Sequence, residues 1–151
     1  MVEGSLSSAW ISGRDLFESV SEEIDWIVPY VVAKGVITEL IGMIKLSGKT
    51  TFAAALARSV ATGQPFAGEP VEKMPVIYLT EQTEEVFRVS LNFVRMPEEG
   101  YDNLAVLCWY KARGYSWPEI MASAVEKAQV LGSKLIVIDT LSQVLARKGL
   151  D

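Results

Sequence analysis

The chain has 151 residues, half of them hydrophobic and 22% charged, with 14 basic and 19 acidic side chains and a formal net charge of −5. This composition is typical of a globular domain; it argues against a disordered, collagen-like or low-complexity chain and against a broad DNA-coating surface. The single cysteine and the absence of histidine exclude an internal disulfide, a Cys/His zinc site and a Ser-His-Asp triad.

The first 30 residues predict a mixed lead-in. A short helix is expected over Arg14–Val20, followed by an acidic cluster that we interpret as a solvated face and by an extended stretch at Trp26–Pro29. No secretory signal opens the sequence, and no apolar run approaches the ~20 residues that a membrane helix needs. We therefore expect a soluble cytoplasmic protein with no membrane partner.

From Gly35 onward the sequence predicts strands that alternate with helices. The helices are marked by apolar spacing, by caps such as Ser116-Trp117-Pro118-Glu119 and by terminal glycines; the strands are short β-branched runs. The expected elements are a strand at Val36–Ile41, a helix at Thr50–Thr62, a strand at Pro75–Thr80, a helix from Thr83 to Met96, a strand at Leu104–Tyr110, a helix from Ser116 to Gly132 and a strand at Leu135–Ile138.

This alternation predicts an α/β fold with a mostly parallel sheet flanked by helices on both faces. The unbroken apolar runs at 76–79 and 135–138 are typical of strands that are buried on both sides. Cys108 lies in a third apolar run, and we interpret it as a buried hydrophobic residue rather than a nucleophile.

The segment from Gly42 to Thr50 has the composition of a phosphate-binding loop. Gly48 allows close approach of the backbone, Lys49 can reach the β- and γ-phosphates, and Thr50 can ligate Mg²⁺. The spacing departs from G-x-x-x-x-G-K-[ST], because five residues separate Gly42 from Gly48 and Met43 stands where the first glycine would be. The alternative is that Gly48 only forms a turn and Lys49 is solvated.

Two carboxylates follow predicted strands and should emerge at the edge where ligands bind in parallel α/β sheets. Asp139, after Leu135–Ile138, has the position of a Walker B aspartate that holds magnesium. Glu81, after the strand that ends at Thr80, can orient or deprotonate an attacking water. The alternative for Glu81 is a carboxylate favoured only by the dipole of the next helix.

These segments together resemble RecA-like P-loop ATPases of the AAA family, most closely the group similar to RepA, the plasmid replicative helicase. The resemblance covers about residues 26 to 145, and its most specific part is Ala61–Pro70. It implies ATP and Mg²⁺ as cofactors, Glu81 as the catalytic carboxylate, and hexamers as in complete members of the family. We expect Lys49 to act with Glu81 in catalysis, and Thr50 and Asp139 to hold the metal. The expected nucleotide-binding residues are Gly42, Lys45, Leu46, Ser47, Gly48, Lys49, Thr50 and Thr51.

The resemblance also implies strands beyond Asp139, one of which inserts beside the Walker B strand. The sequence reaches only Asp151, so we expect a lead-in at 1–30 and an incomplete RecA-like domain at 31–151, truncated after the Walker B strand. An alternative is that the strands rearrange and pair directly.

The function expected from these residues is Mg-dependent ATP binding and hydrolysis. A nucleotide-dependent switch or scaffold that does not hydrolyse ATP, and an inactive fragment of a DNA-associated motor, stay open as alternatives. Tyr110, Lys111, Arg113 and Tyr115 form a pattern that can bind single strands, although so few charges give little affinity for phosphates. We interpret Arg88 and Arg95 as solvated charges rather than phosphate sensors. We interpret Tyr78, Trp109 and Trp117 as core or rim residues rather than residues that stack on bases.

Overall fold

The computed structural model describes residues 9–42 and 48–139. Four α-helices and five strands lie in these ranges, together with 3₁₀ turns at Glu98–Asn103 and Trp109–Ala112. In chain order the elements are α1 (Gly13–Ser19), β1 (Trp26–Val28), β2 (Val32–Ala33), α2 (Lys49–Thr62), β3 (Val76–Thr80), α3 (Glu84–Phe93), β4 (Leu104–Cys108), α4 (Trp117–Leu131) and β5 (Leu135–Asp139).

Three parallel strands form the central sheet, in the order β4-β3-β5. β3 lies in the middle: Val76 is opposite Leu104 on one side and Leu135 on the other, and Thr80 is opposite Cys108 and Asp139. Parallel strands need a crossover, which the helices between them provide. The α/β class with a parallel sheet flanked by helices is thereby confirmed.

Helices cover both faces of this sheet because side chains alternate along each strand. On one face, Val76 and Tyr78 pack against α2 and α3 with Leu56, Val60 and Phe87. On the other face, Ile77 and Leu79 pack against α4 through small residues such as Ala124. β3 is buried over its whole length, as the apolar run at 76–79 predicts.

A small antiparallel hairpin of β1 and β2 extends the core on the α2 side. Ile27 and Val28 are buried there, so part of the expected lead-in belongs to the packed structure. Lys34, just after β2, contacts Asp25 at 2.8 Å and Glu72 at 2.5 Å. By contrast, α1 has no buried residue.

The expected strand at Val36–Ile41 is wrong. These residues have no regular secondary structure, and Ile37 is 99% exposed. A β-strand requires a neighbouring strand for its N–H and C=O groups. Among the described residues, β5 pairs only with β3, and no strand lies beside 36–41.

Two smaller expectations also needed correction. Residues 136–138 are only half-buried rather than covered on both sides, because β5 is an edge strand within the described part of the chain. The third predicted strand ends at Cys108 instead of Tyr110, where the chain turns into a 3₁₀ segment. The division into 1–30 and 31–151 stays a prediction, and residues 140–151 lie outside the described ranges.

Candidate functional site

Two sequence-predicted carboxylates meet at the carboxyl edge of the sheet. Thr80 and Asp139 end neighbouring parallel strands in register. The backbone N–H of Glu81 donates a hydrogen bond to the backbone carbonyl of Asp139 at 3.0 Å. Glu81 is exposed, whereas Asp139 is 6% exposed. The edge therefore presents one accessible and one enclosed carboxylate.

The beginning of α2 lies at the same edge. Gly48 precedes it with a φ of +73°, in the left-handed region that glycine adopts without strain. No side chain in the described ranges caps the first turn, and that turn contains no acidic residue. Its N–H groups and the positive end of the helix dipole are therefore suited to an anion.

The side chain of Lys49 reaches back across the loop. Its Nζ donates a hydrogen bond to the carbonyl of Gly42 at 3.2 Å. Gly42 and Lys49, near the two ends of the segment that the sequence predicts to bind phosphate, thus lie close together. The expected nucleotide-binding residues Lys45, Leu46 and Ser47 lie outside the described residues. Thr51 is exposed in the first turn of α2.

Thr50 links the start of α2 to the carboxyl edge of the sheet. Its Oγ1 donates a hydrogen bond to Oδ1 of Asp139 at 3.2 Å. These residues are 89 positions apart in the chain, and the packing of α2 against β3 and β5 brings them together. The two residues expected to hold the metal are therefore neighbours.

Oxygen donors of this kind fit magnesium. Mg²⁺ is commonly bound by one or two protein oxygens together with substrate phosphates and water, rather than by a cage of side chains. The described residues contain no cluster of three or more His, Cys, Asp or Glu side chains that could hold a metal alone. The hydroxyl of Thr50 and the carboxylate of Asp139 could supply the one or two protein oxygens of such a site, with phosphates and water as the other ligands.

Tyr78 is a buried core residue, as expected, but its contact with the candidate site was not predicted from the sequence. Its hydroxyl donates a hydrogen bond to Oδ2 of Asp139 at 3.1 Å. Burial raises the pKa of Tyr78 well above its ordinary value of 10, and the charge of Asp139 and this hydrogen bond raise it further. The phenol therefore keeps its proton at neutral pH and can donate a hydrogen bond to Asp139. The available signal was a tyrosine inside an otherwise apolar buried strand, because a buried hydroxyl needs a partner.

The loop after β4 carries a separate cluster. Glu84, in the first turn of α3, accepts hydrogen bonds from the hydroxyl of Tyr110 and from Nζ of Lys111. The hydrogen bond from Lys111, and to a lesser extent that from Tyr110, lowers the pKa of Glu84 to about 2. Two of the four residues whose pattern can bind single strands are thus held by a carboxylate.

Trp109, Trp117 and Cys108 are packing residues. Trp109 is buried, and its ring stacks on that of Trp117 with a centroid distance of 5.6 Å. Cys108 is buried as expected, and desolvation raises the pKa of its thiol, which disfavours the thiolate. Within the described ranges, none of the helices is long and apolar enough to cross a membrane.

Comparison with known proteins gives one result. The sequence model of the family described as AAA domain matches residues 6–150. This match covers all the site residues above. No curated protein and no solved structure shows a significant match to the chain.

Proposed function

The chain belongs to the AAA domain family, and we propose that it binds ATP with Mg²⁺ and hydrolyses the bound nucleotide. The single observation that carries this proposal is the hydrogen bond between Thr50 and Asp139. It joins the first turn of α2, which follows Gly48, to the carboxylate at the end of β5. A triphosphate and its cation need both groups at one place.

The proposed roles follow from the chemistry of each group. The N–H groups at the start of α2 and the ammonium group of Lys49 bind the phosphates. Lys49 then exchanges its hydrogen bond with the carbonyl of Gly42 for phosphate oxygens, which are stronger acceptors because they are charged. Thr50 and Asp139 hold Mg²⁺, which when bound neutralises charge on the β- and γ-phosphates.

Glu81 is the residue that we propose to orient the attacking water. It is exposed at the carboxyl edge, and its backbone is hydrogen-bonded to that of Asp139. A carboxylate in that place can accept a proton from water beside a bound phosphate. This role is independent of binding, so the two can be measured separately.

Within the family we infer that the chain is nearest to the RepA-like group. The support is the sequence of the segment Ala61–Pro70, the most specific part of the resemblance. Phe66 and Glu69 exchange two backbone hydrogen bonds of 2.9 Å, and Ala67 and Gly68 between them both have positive φ. We do not extend the proposal to single-stranded DNA, because Glu84 neutralises Lys111 in the loop that would bind it.

The test uses two variants of the full chain. Lys49→Ala should bind fluorescent ATP at least about tenfold more weakly, since hydrogen bonds from a charged donor contribute about 1.5–3 kcal/mol. Glu81→Gln should bind ATP with unchanged affinity but release phosphate at least about a hundredfold more slowly. Equilibrium titration measures the first result, and steady-state phosphate release measures the second.

Lys127→Ala is the matched control, because Lys127 is an exposed lysine on α4, far along the chain from the loop. Equal affinities for the wild type, Lys49→Ala and Lys127→Ala would refute the phosphate site. Normal binding with no phosphate release in the wild type would instead identify a nucleotide-dependent switch or scaffold.

A further inference from the structure

Tyr78 is completely enclosed in the middle of the sheet. Its side chain is 0% exposed, on the face that α2 and α3 cover. The ring packs on that of Phe87 with a centroid distance of 4.6 Å and an angle of 42°. A phenylalanine would supply the same ring, so the hydroxyl is the feature that packing alone does not require.

The hydroxyl contacts a specific oxygen of Asp139. Oδ2 accepts from Tyr78 at 3.1 Å, while Oδ1 accepts from Thr50 at 3.2 Å. A carboxylate held through both oxygens by donors on two different elements has its rotation restricted. Groups that contact a metal ligand in this way fix its orientation and tune its affinity for the metal.

The register of the sheet explains why Tyr78 can do this. Asp139 on β5 is directly opposite Thr80 on β3, and Tyr78 lies two residues before Thr80 on β3. Side chains two residues apart lie on the same face, and such diagonal neighbours are within reach of a long aromatic side chain. The contact thus depends on rigid strands rather than on loops.

We propose that Tyr78 is a positioning residue for the metal site. Its hydroxyl holds Oδ2 of Asp139 and leaves Oδ1, the oxygen that Thr50 contacts, as the one that would bind the metal. This inference rests on the proposed function. It assigns to a buried core tyrosine a part in metal-dependent nucleotide binding, through Asp139 and without contact with the nucleotide.

The test is the substitution Tyr78→Phe in the full chain, with fluorescent ATP as the probe. The Mg²⁺ concentration that gives half-maximal enhancement of binding should rise about tenfold, the lower end of the effect seen for residues that support metal ligands. ATP affinity measured in EDTA should not change, because Tyr78 acts through the metal ligand. Tyr101→Phe, at a tyrosine that is 55% exposed, should match the wild type in both measurements.

Two further variants separate positioning from loss of stability. Phe87→Leu removes packing from the Tyr78 ring but keeps the hydroxyl, so it should lower the melting temperature and leave the Mg²⁺ dependence unchanged. Asp139→Asn alone should raise the Mg²⁺ concentration that gives half-maximal enhancement of binding. Adding Tyr78→Phe to it should not raise that concentration further. The second result would show that Tyr78 acts through Asp139.

The outcomes distinguish this inference from the function on which it rests. If Lys49→Ala weakens ATP binding but Tyr78→Phe keeps the Mg²⁺ dependence of the wild type, only the positioning role is overturned. Equal losses with Mg²⁺ and in EDTA would also overturn it, because they indicate a purely structural tyrosine. Absence of ATP binding by the wild type would overturn both proposals.

Discussion

Gly48 has a backbone conformation that other residues rarely adopt. Its φ of +73° lies in the left-handed region, and α2 begins at the next residue. A Cβ atom built at Gly48 would meet no described atom within 4 Å. The requirement for glycine at this position is therefore one of backbone conformation and not of space.

Gly48→Ala should lower the free energy of unfolding by about 1 kcal/mol, the typical cost of the left-handed conformation for an L-residue with a side chain. Urea denaturation measures the change. Gly13→Ala is the matched control, because Gly13 also has open space around it but no positive φ; it should stay within about 0.5 kcal/mol of the wild type. Equal stability of both variants would contradict this explanation.

At the scale of elements, β3 and the segment 36–41 are similar in sequence and opposite in structure. Both are short, β-branched and apolar. β3 is paired on both sides and fully buried, whereas 36–41 is exposed and has no strand partner among the described residues. Neighbouring strands, rather than intrinsic propensity, decide between the two.

Hydrogen exchange followed by mass spectrometry should separate the two segments. We expect the amides of 76–80 to exchange at least about a hundredfold more slowly than those of 36–41, because only the former are held in a two-sided ladder inside the core. Similar exchange rates in the two segments would mean that 36–41 is paired in solution.

This contrast indicates what could be predicted from the sequence. Helix α4 was predictable because its signals are local: Glu119 accepts from the backbone N–H of Ser116 at 2.7 Å, and Gly132 ends the helix with a φ of +70°. The position of Asp139 at the carboxyl edge was predictable because it directly follows the apolar run Leu135–Ile138, which forms β5.

The failures have the opposite cause. Whether 36–41 forms a strand depends on residues elsewhere in the chain, which periodicity does not reveal. The partnership of Tyr78 with Asp139 depends on the order and register of strands 61 positions apart. Local sequence specified that a tyrosine hydroxyl needed a partner, but only the assembled sheet identified which one.

At the scale of the whole molecule, a network of ion pairs joins segments that are distant in sequence. Lys34 binds Asp25 and Glu72, and Lys134 binds the same Glu72 at 3.4 Å. The hairpin, the segment before β3 and the turn before β5 are thereby connected. The hydrogen bond from Lys34 is the largest cause of the lowered pKa of Glu72.

Glu72→Gln should lower the melting temperature by about 2 °C at pH 7, a modest effect because the ion pair is partly exposed. The folded-state pKa of Glu72 is below its ordinary value of 4.5, so its contribution is present above pH 4.5 and lost as the pH falls through the lowered value. The difference between the variant and the wild type should therefore shrink in acid, as measured by calorimetry.

The exposed Glu126 provides the control for this pH series. Glu126→Gln should follow the wild type at every pH. A difference for Glu72→Gln that persists unchanged below the lowered pKa would show that packing, and not charge, is responsible.

The exposure of Val36–Ile41 has a consequence for the behaviour of the protein at high concentration. The segment combines β-branched side chains with one charge, at Glu39, and contains neither proline nor glycine. Exposed stretches of this kind template cross-β contacts between molecules, and natural proteins interrupt them with charged gatekeeper residues. The exposure of these six residues therefore offers a route to association between folded molecules that does not require the core to unfold.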